Sequence, residues 1–211
     1  MRYLLIVLSC LLLPLGTARA DVHVGVGIAV PGVSISISNY PRLVRIPGYP
    51  VYYDPYLSMN LFFYDGLYWV FADDDWYVSD WYNGPWTLVA RVSVPVYILR
   101  IPVRYYRHPP PYFHDWHRDQ PPRWNERWGH QWQERRSGWN KPAQHAVPPR
   151  APLPSYQQHF SGQRYPQNRE MQETIRREHY RYQPRDPVAR EQYQKKQSRP
   201  GPKDDDRKRG R

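Results

Sequence analysis

Asp65-Gly66 stands between two aromatic runs, Leu61 to Tyr64 and Leu67 to Phe71. Asp-Gly between apolar runs is the strongest short-range hairpin signal. A two-residue type I′ turn needs positive φ at both central positions, and its twist matches that of the strands it joins. The stretch FFYDGLYWVFADDDWYVSDWYNGPW, Phe62 to Trp86, continues the pattern. Asp73-Asp74-Asp75 makes the next turn, Trp76 to Ser79 a third strand, Asn83-Gly84 another turn and Trp86 to Ala90 a fourth strand. VPVYILRIPVRYYR closes the unit with one or two further strands. Upstream, YPRLVRIPGYPVYYDP is extended and punctuated by proline, which confines it to edges and strand starts. Short strands with turns about every ten residues predict an all-β unit, a small antiparallel meander or barrel-like module, over 39–107.

Strand periodicity puts rings on both faces of that module. Residues two apart share a face, so Tyr68 and Val70 lie opposite Trp69 and Phe71, and Trp76 and Val78 lie opposite Tyr77. A unit of this size buries one set, and Trp69, Trp76 and Trp86 are the expected core. The other set stays partly wet or meets another segment. Tyr53, Tyr64, Tyr77, Trp81 and Tyr82 are therefore candidates for an exposed strip that stacks on a ligand, with core burial as the competing reading.

The segment before the module alternates. Val22, Val24, Val26, Ile28 and Val30 share one side, Pro31-Gly32 is a turn signal, and Val33, Ile35 and Ile37 resume the pattern. This predicts a β-hairpin over 21–38 whose Val/Ile face covers the module. Ahead of it, Arg2, the short apolar run Leu4–Leu13 and Ala18-Arg19-Ala20 form the pattern of a secretory signal peptide, residues 1–20. A lipoprotein box at Val7–Cys10 is the rival reading. No later stretch is long and apolar enough to cross a membrane.

Export sets the redox and partner context. The single cysteine, Cys10, lies in the leader, so the mature chain has no disulfide and no thiolate chemistry. The formal net charge is +11, and loss of Arg2 and Arg19 leaves about +9. Such a chain is drawn to an anionic membrane surface or to cell-envelope polymers such as lipopolysaccharide and acidic polysaccharide. Export disfavours nucleic acid as the partner.

Residues 108–211 hold 15 of the 24 prolines and are rich in Arg, Gln, His and aromatics. Such a sequence predicts a long, mostly disordered basic tail with possible short helices. In one island Trp124, Trp128 and Trp132 are four apart and Trp139 seven further on, so they could line one helix face beside Arg123 and Arg127. An Arg-flanked Trp stripe suits a membrane surface, and it could equally dock on the β module. A second helical island spans 168–193, with Asp186-Pro187 as an N-cap and first-turn pair.

Chemical motifs are scarce. There is no nucleophile elbow, phosphate loop or dinucleotide fingerprint, and no cofactor is expected. His108, His114 and His117, with Asp115 and Asp119, are the best metal candidates, because imidazole suits Zn, Cu or Ni. Asp54, Asp65 and Asp80 are the carboxylates a small hydrolase would draw on. A non-catalytic envelope binding or scaffold protein is preferred to both a periplasmic metal-handling protein and a small hydrolase.

The words VRIPGYPVYYDP, FFYDGLYWVF, WYVSDWYNGPW, LRIPVRYYRHPP, RSGWN, APLPSYQQHFSGQRYP and YRYQPRDP together resemble an uncharacterised family of small exported proteobacterial proteins. The hairpin words are more loosely similar to Trp/Tyr-Gly-Trp repeat proteins of the envelope. The resemblance implies location and a non-enzymatic character, carries over no catalytic residue, and suggests that the tail words are not filler.

Overall fold

Asp65 and Gly66 take φ of 50° and 83°, and Asp73 and Asp74 take 47° and 66°. Both pairs have the positive φ that a type I′ hairpin turn demands, and Asp is among the few side chains that tolerate it. The computed structural model describes residues 34–141 and 147–198. Its centre is a six-stranded antiparallel meander in chain order. The strands are β1 (Val44–Arg45), β2 (Val51–Tyr53), β3 (Asn60–Tyr64), β4 (Leu67–Ala72), β5 (Asp75–Ser79) and β6 (Thr87–Val89). The turns fix the register: Tyr64 faces Leu67 across the first, and Ala72 faces Asp75 across the second. Among the described residues the sheet is open, with β1 and β6 as its edges.

Two layers cover it. On one face Phe62, Trp69, Phe71, Trp76 and Val78 meet Val94, Ile98, Leu99, Ile101, Phe113, Trp124, Trp132 and Trp139. On the other, Leu61, Phe63, Tyr68, Val70 and Tyr77 meet Ile37, Trp81, Tyr82, Ala151 and Tyr165. The alternation expected from the strands is thus present, and Trp69, Trp76 and Trp86 are buried.

The molecule is not all-β. The segment 94–107, expected as strand, instead forms α1 (Val96–Leu99) and a 3₁₀ turn at Val103–Tyr105. Pro95 and Pro102 precede these turns. Proline has no N–H for a sheet ladder, so the chain leaves the sheet edge and lays Ile98, Leu99 and Ile101 across its face. Further helices follow: α2 (Trp124–Arg135), α3 (Arg169–His179) and α4 (Pro187–Gln197). The region expected to be mostly disordered therefore supplies, over its described residues, much of both covering layers. Large aromatics explain this departure, since each can bury ~150–250 Å² and so offset the ordering of polar neighbours.

Local signals position these helices. Asn168 caps α3 by accepting from the Met171 N–H at 2.8 Å. Asp186 caps α4, accepting from Val188 and Ala189 at 2.8 and 3.1 Å. Gly129 breaks α2 with φ 80°, which a side chain would resist. The signal peptide and the first arm and turn of the expected hairpin lie outside the described residues. Its second arm, from residue 34, carries no strand. Ile37 is nonetheless buried on the second face, and its N–H donates to Asn83 Oδ1 at 2.6 Å.

Candidate functional site

Asn60 begins the most built surface feature. Its buried amide donates to the Phe71 and His108 carbonyls at 3.0 and 2.6 Å and accepts from the His108 N–H at 2.8 Å. This anchors the chain where it leaves the core. Further on, the Val103 and Arg104 N–H groups donate to the Gln120 and Arg118 carbonyls at 3.0 and 2.9 Å. The loop 104–118 is closed at its base and filled by its own rings. Phe113 packs on Tyr106 at 5.1 Å and on Trp116 at 4.5 Å between centroids. Pro109, Pro110 and Pro111 stiffen the rim.

A groove of about 550 Å³ runs along this loop. Its apolar lining is half-buried Trp116 with Pro109–Pro111, over the buried rings of Tyr106 and Phe113; Arg104, Arg107 and Arg118 stand around it. Arg104 is paired with Asp119 at 2.8 Å. Among the described residues Arg107 and Arg118 have no acidic partner within ion-pair distance, and both are exposed. Close by, Asp74 gathers Arg91 at 3.1 Å, Arg127 at 3.0 Å and the Tyr112 hydroxyl at 2.5 Å. Arg127 also lies over the Tyr112 ring at 4.5 Å. The Asp-rich turn is thus a guanidinium acceptor, and its carboxylate is taken.

The residues marked in the sequence fall differently from expectation. Tyr64, Tyr77, Trp81 and Tyr82 are buried, so they cannot present a ring face to a ligand. Tyr53 is half-buried and packs edge-on against Tyr105 at 5.0 Å. Tyr77, Trp81 and Tyr82 are covered on the second face, expected to stay partly wet, by Ile37 and 151–165, while Tyr64 and Tyr53 lie on the first face beneath its own covering layer. The tryptophan stripe does form, as a chain of contacts: Trp124 on Trp128 at 4.2 Å, Trp128 on Trp132 at 4.9 Å and Trp132 on Trp139 at 5.6 Å. It turns inward. Trp124, Trp132 and Trp139 are buried, and Trp128 is half-buried, so the stripe docks on the sheet and offers no membrane face. Arg123 and Arg127 are exposed but engaged with Glu126 and Asp74.

His108, His114 and His117 are exposed and not gathered. His114 Nδ1 meets its neighbour Asp115 at 2.9 Å, and His117 Nδ1 accepts from the Asp119 N–H at 3.2 Å. Among the described residues no three His, Cys, Asp or Glu side chains are placed to hold a metal ion.

The three hydrolase carboxylates are buried and committed to protein donors. Asp54 accepts from the N–H groups of Arg42, Tyr56 and Leu57 at 2.7, 2.7 and 3.3 Å. Asp65 accepts from the Tyr182 hydroxyl at 2.6 Å and from the N–H groups of Arg185 and Asp186 at 2.7 Å each. Asp80 is ion-paired with buried Lys196. Burial pushes the Asp80 carboxyl up, but Lys196 and Arg176 outweigh it and hold it below the usual carboxylate range.

Sequence reasoning missed this second-face network. Buried Gln157 accepts from the Tyr68 hydroxyl at 3.1 Å and donates to the Asp80 carbonyl at 2.9 Å. Tyr165 donates to the Gly84 carbonyl at 2.6 Å. Arg176 is buried with its guanidinium over Tyr180 and Tyr193, 4.9 Å from each. The usable signal was APLPSYQQHFSGQRYP, where aromatics sit at intervals among glutamines. In comparisons with known proteins the chain matches no family model, no curated protein and no solved structure, so its site is read from its own geometry.

Proposed function

We propose that this is a non-catalytic exported protein of the cell envelope, periplasmic or secreted, that binds or scaffolds anionic envelope polymers. The carrying observation is the groove at 104–118, where exposed Arg107 and Arg118 flank an apolar strip of half-buried Trp116 and Pro109–Pro111. Guanidinium forks match phosphate and carboxylate oxygens, and the strip gives a chain of sugars or acyl-bearing groups an apolar surface. The net charge, +11 for the full sequence and about +9 without Arg2 and Arg19, adds long-range attraction to such polymers. The leader-like N-terminus and the resemblance to exported proteins support the location. Commitment of the buried carboxylates to protein donors supports binding over catalysis.

The test is co-sedimentation of the full mature chain with lipopolysaccharide and with cell-wall preparations. Binding is expected at low salt and release as added salt screens the charges. Arg107→Glu with Arg118→Glu is expected to weaken it by about tenfold or more. Binding that ignores both salt and the double variant would remove the groove from the mechanism.

A further inference from the structure

A second concavity lies at the β1 edge of the sheet, remote in sequence from the basic groove and sharing no residue with it. It has a volume of about 610 Å³, within the ~300–1,000 Å³ typical of small-molecule clefts. Tyr56 is its most exposed ring, at 73%. This ring is not on a loose loop. Asp54 is buried and ties down the backbone on both sides of the cleft, through the N–H groups of Arg42, Tyr56 and Leu57. The Arg42 guanidinium lies over the Tyr56 ring, 5.3 Å from its centroid. An exposed aromatic held by a buried carboxylate and a cation is a preformed platform, which lowers the ordering cost of binding.

The polar groups around it are mostly uncommitted. Asn39, Ser155 and Gln158 line the cleft, and among the described residues their side chains make no hydrogen bond within the protein. They supply donors and acceptors of both kinds. Among the described residues Arg42 is the one charged residue in the lining. The first groove has three arginines, so the two sites suit different ligands: an anion there, a largely neutral polyhydroxylated molecule here. A ring with an apolar face and hydroxyls at its edge fits both parts of this cleft. The face lies on Tyr56, and the hydroxyls meet the amides, Ser155 and Arg42.

We propose that this cleft is a glycan subsite, which takes a pyranose ring of a polysaccharide by stacking on Tyr56. The subsite does not depend on the anionic-polymer reading. Together the two sites would let one molecule hold a charged and a neutral stretch of envelope polysaccharide.

The experiment is saturation-transfer NMR on the full mature protein with cellotetraose and chitotetraose. Transfer to ring protons of at least one tetrasaccharide is expected. Tyr56→Ala is expected to weaken binding about tenfold, the equivalent of ~1.4 kcal/mol. The exposure of Tyr56 lets that variant keep its fold, which far-UV circular dichroism verifies. Gln158→Ala has a smaller effect in the same direction. Arg107→Glu with Arg118→Glu leaves saccharide binding unchanged, so failure of the anionic groove and failure of this subsite are separable. No transfer to either tetrasaccharide, or transfer that survives Tyr56→Ala, would overturn the proposal. So would shifts of the Val44 and Arg45 amides with an acetylated Val-Thr-Val-Thr-Val peptide but not with saccharides, because the β1 edge would then be a strand acceptor.

Discussion

The two faces of the sheet are buried by different physics. The first is covered mainly by 94–139, which follows directly in the chain, with Ala189 and Tyr193 of α4 added, and its contacts are largely apolar and aromatic: Ile98, Leu99, Phe113 and the inward tryptophans. The second is covered by Trp81, Tyr82 and Trp86 beside the strands and by segments far away in sequence, Ile37 before the sheet and 151–182 with Lys196 after it. There the contacts are tyrosine hydroxyls, glutamines and the Asp80–Lys196 pair. Non-directional burial suffices where a nearby segment has few other places to go. A distant segment must be placed among alternatives, and buried polar groups that are satisfied in one arrangement only can do that.

This contrast can be broken by substitution. Trp124 is wholly buried among Phe71, Trp76 and Phe113, with its Nε1–H donating to the Leu99 carbonyl at 2.9 Å. Trp124→Ala is expected to cost about 4 kcal/mol in urea unfolding. A loss below ~1 kcal/mol would mean that the first layer is not a packed core.

Lys196→Met tests the second layer. It leaves Asp80 buried without its nearest cation, at an expected cost of about 3 kcal/mol. Asp80→Leu combined with Lys196→Met should recover most of that loss, because the penalty lies in the orphaned charge. A double variant no better than the single would assign the cost to packing instead.

Gly66→Ala sharpens the role of the turn. At φ 83° an added Cβ would also stand 2.9 Å from the Tyr182 ring. The expected loss is about 2 kcal/mol, combining backbone and steric terms. Tyr182→Ala should make the same glycine substitution less costly, which thermal melts of the four-member cycle would read.

The smallest effect at neutral pH is the titration of the tyrosine-rich interior. Burial pushes the Tyr40 hydroxyl up to about 12 and lifts Tyr68 and Tyr106 well above the ordinary phenol range. A phenol raised in the folded state binds its proton more tightly than in the unfolded chain. Its stabilising contribution is therefore complete below the unfolded value of about 10 and declines as pH rises beyond it. Phenolate absorbance should lag behind that of the unfolded chain and rise together with loss of structure. A full tyrosine titration near pH 10 in the folded protein would contradict the burial of these rings.

Much of the sheet was legible in the residues. Asp65-Gly66 and the Asp73–Asp75 turn located β3, β4 and β5 closely, because positive φ and strand alternation are local demands. Asp186-Pro187 marked one helix start for the same reason, and the helical island over 168–193 contains both α3 and most of α4. The candidate sites were less legible. Tyr64, Tyr77, Trp81 and Tyr82 looked like a surface strip because sequence alternation assigns a side, not what lies against it. Lys196 and Asp80 are 116 positions apart, and no local pattern links them. Tyr56 and Arg42, the latter within the proline-punctuated stretch 40–55, carried no site signal; the Asp54 clasp brings their loops together.

Local residue identity set the turns, the strand parity and the Asp186 helix cap, since each depends on the conformational limits of a few adjacent residues. Which rings are core, how the proline-rich segments pack as covering layers, and which arginines stay free at the surface followed from packing across the fold. Those outcomes depend on what meets each face after the chain has folded back. Burial and charge pairing are properties of neighbours in space, and neighbours in space are not written in local sequence.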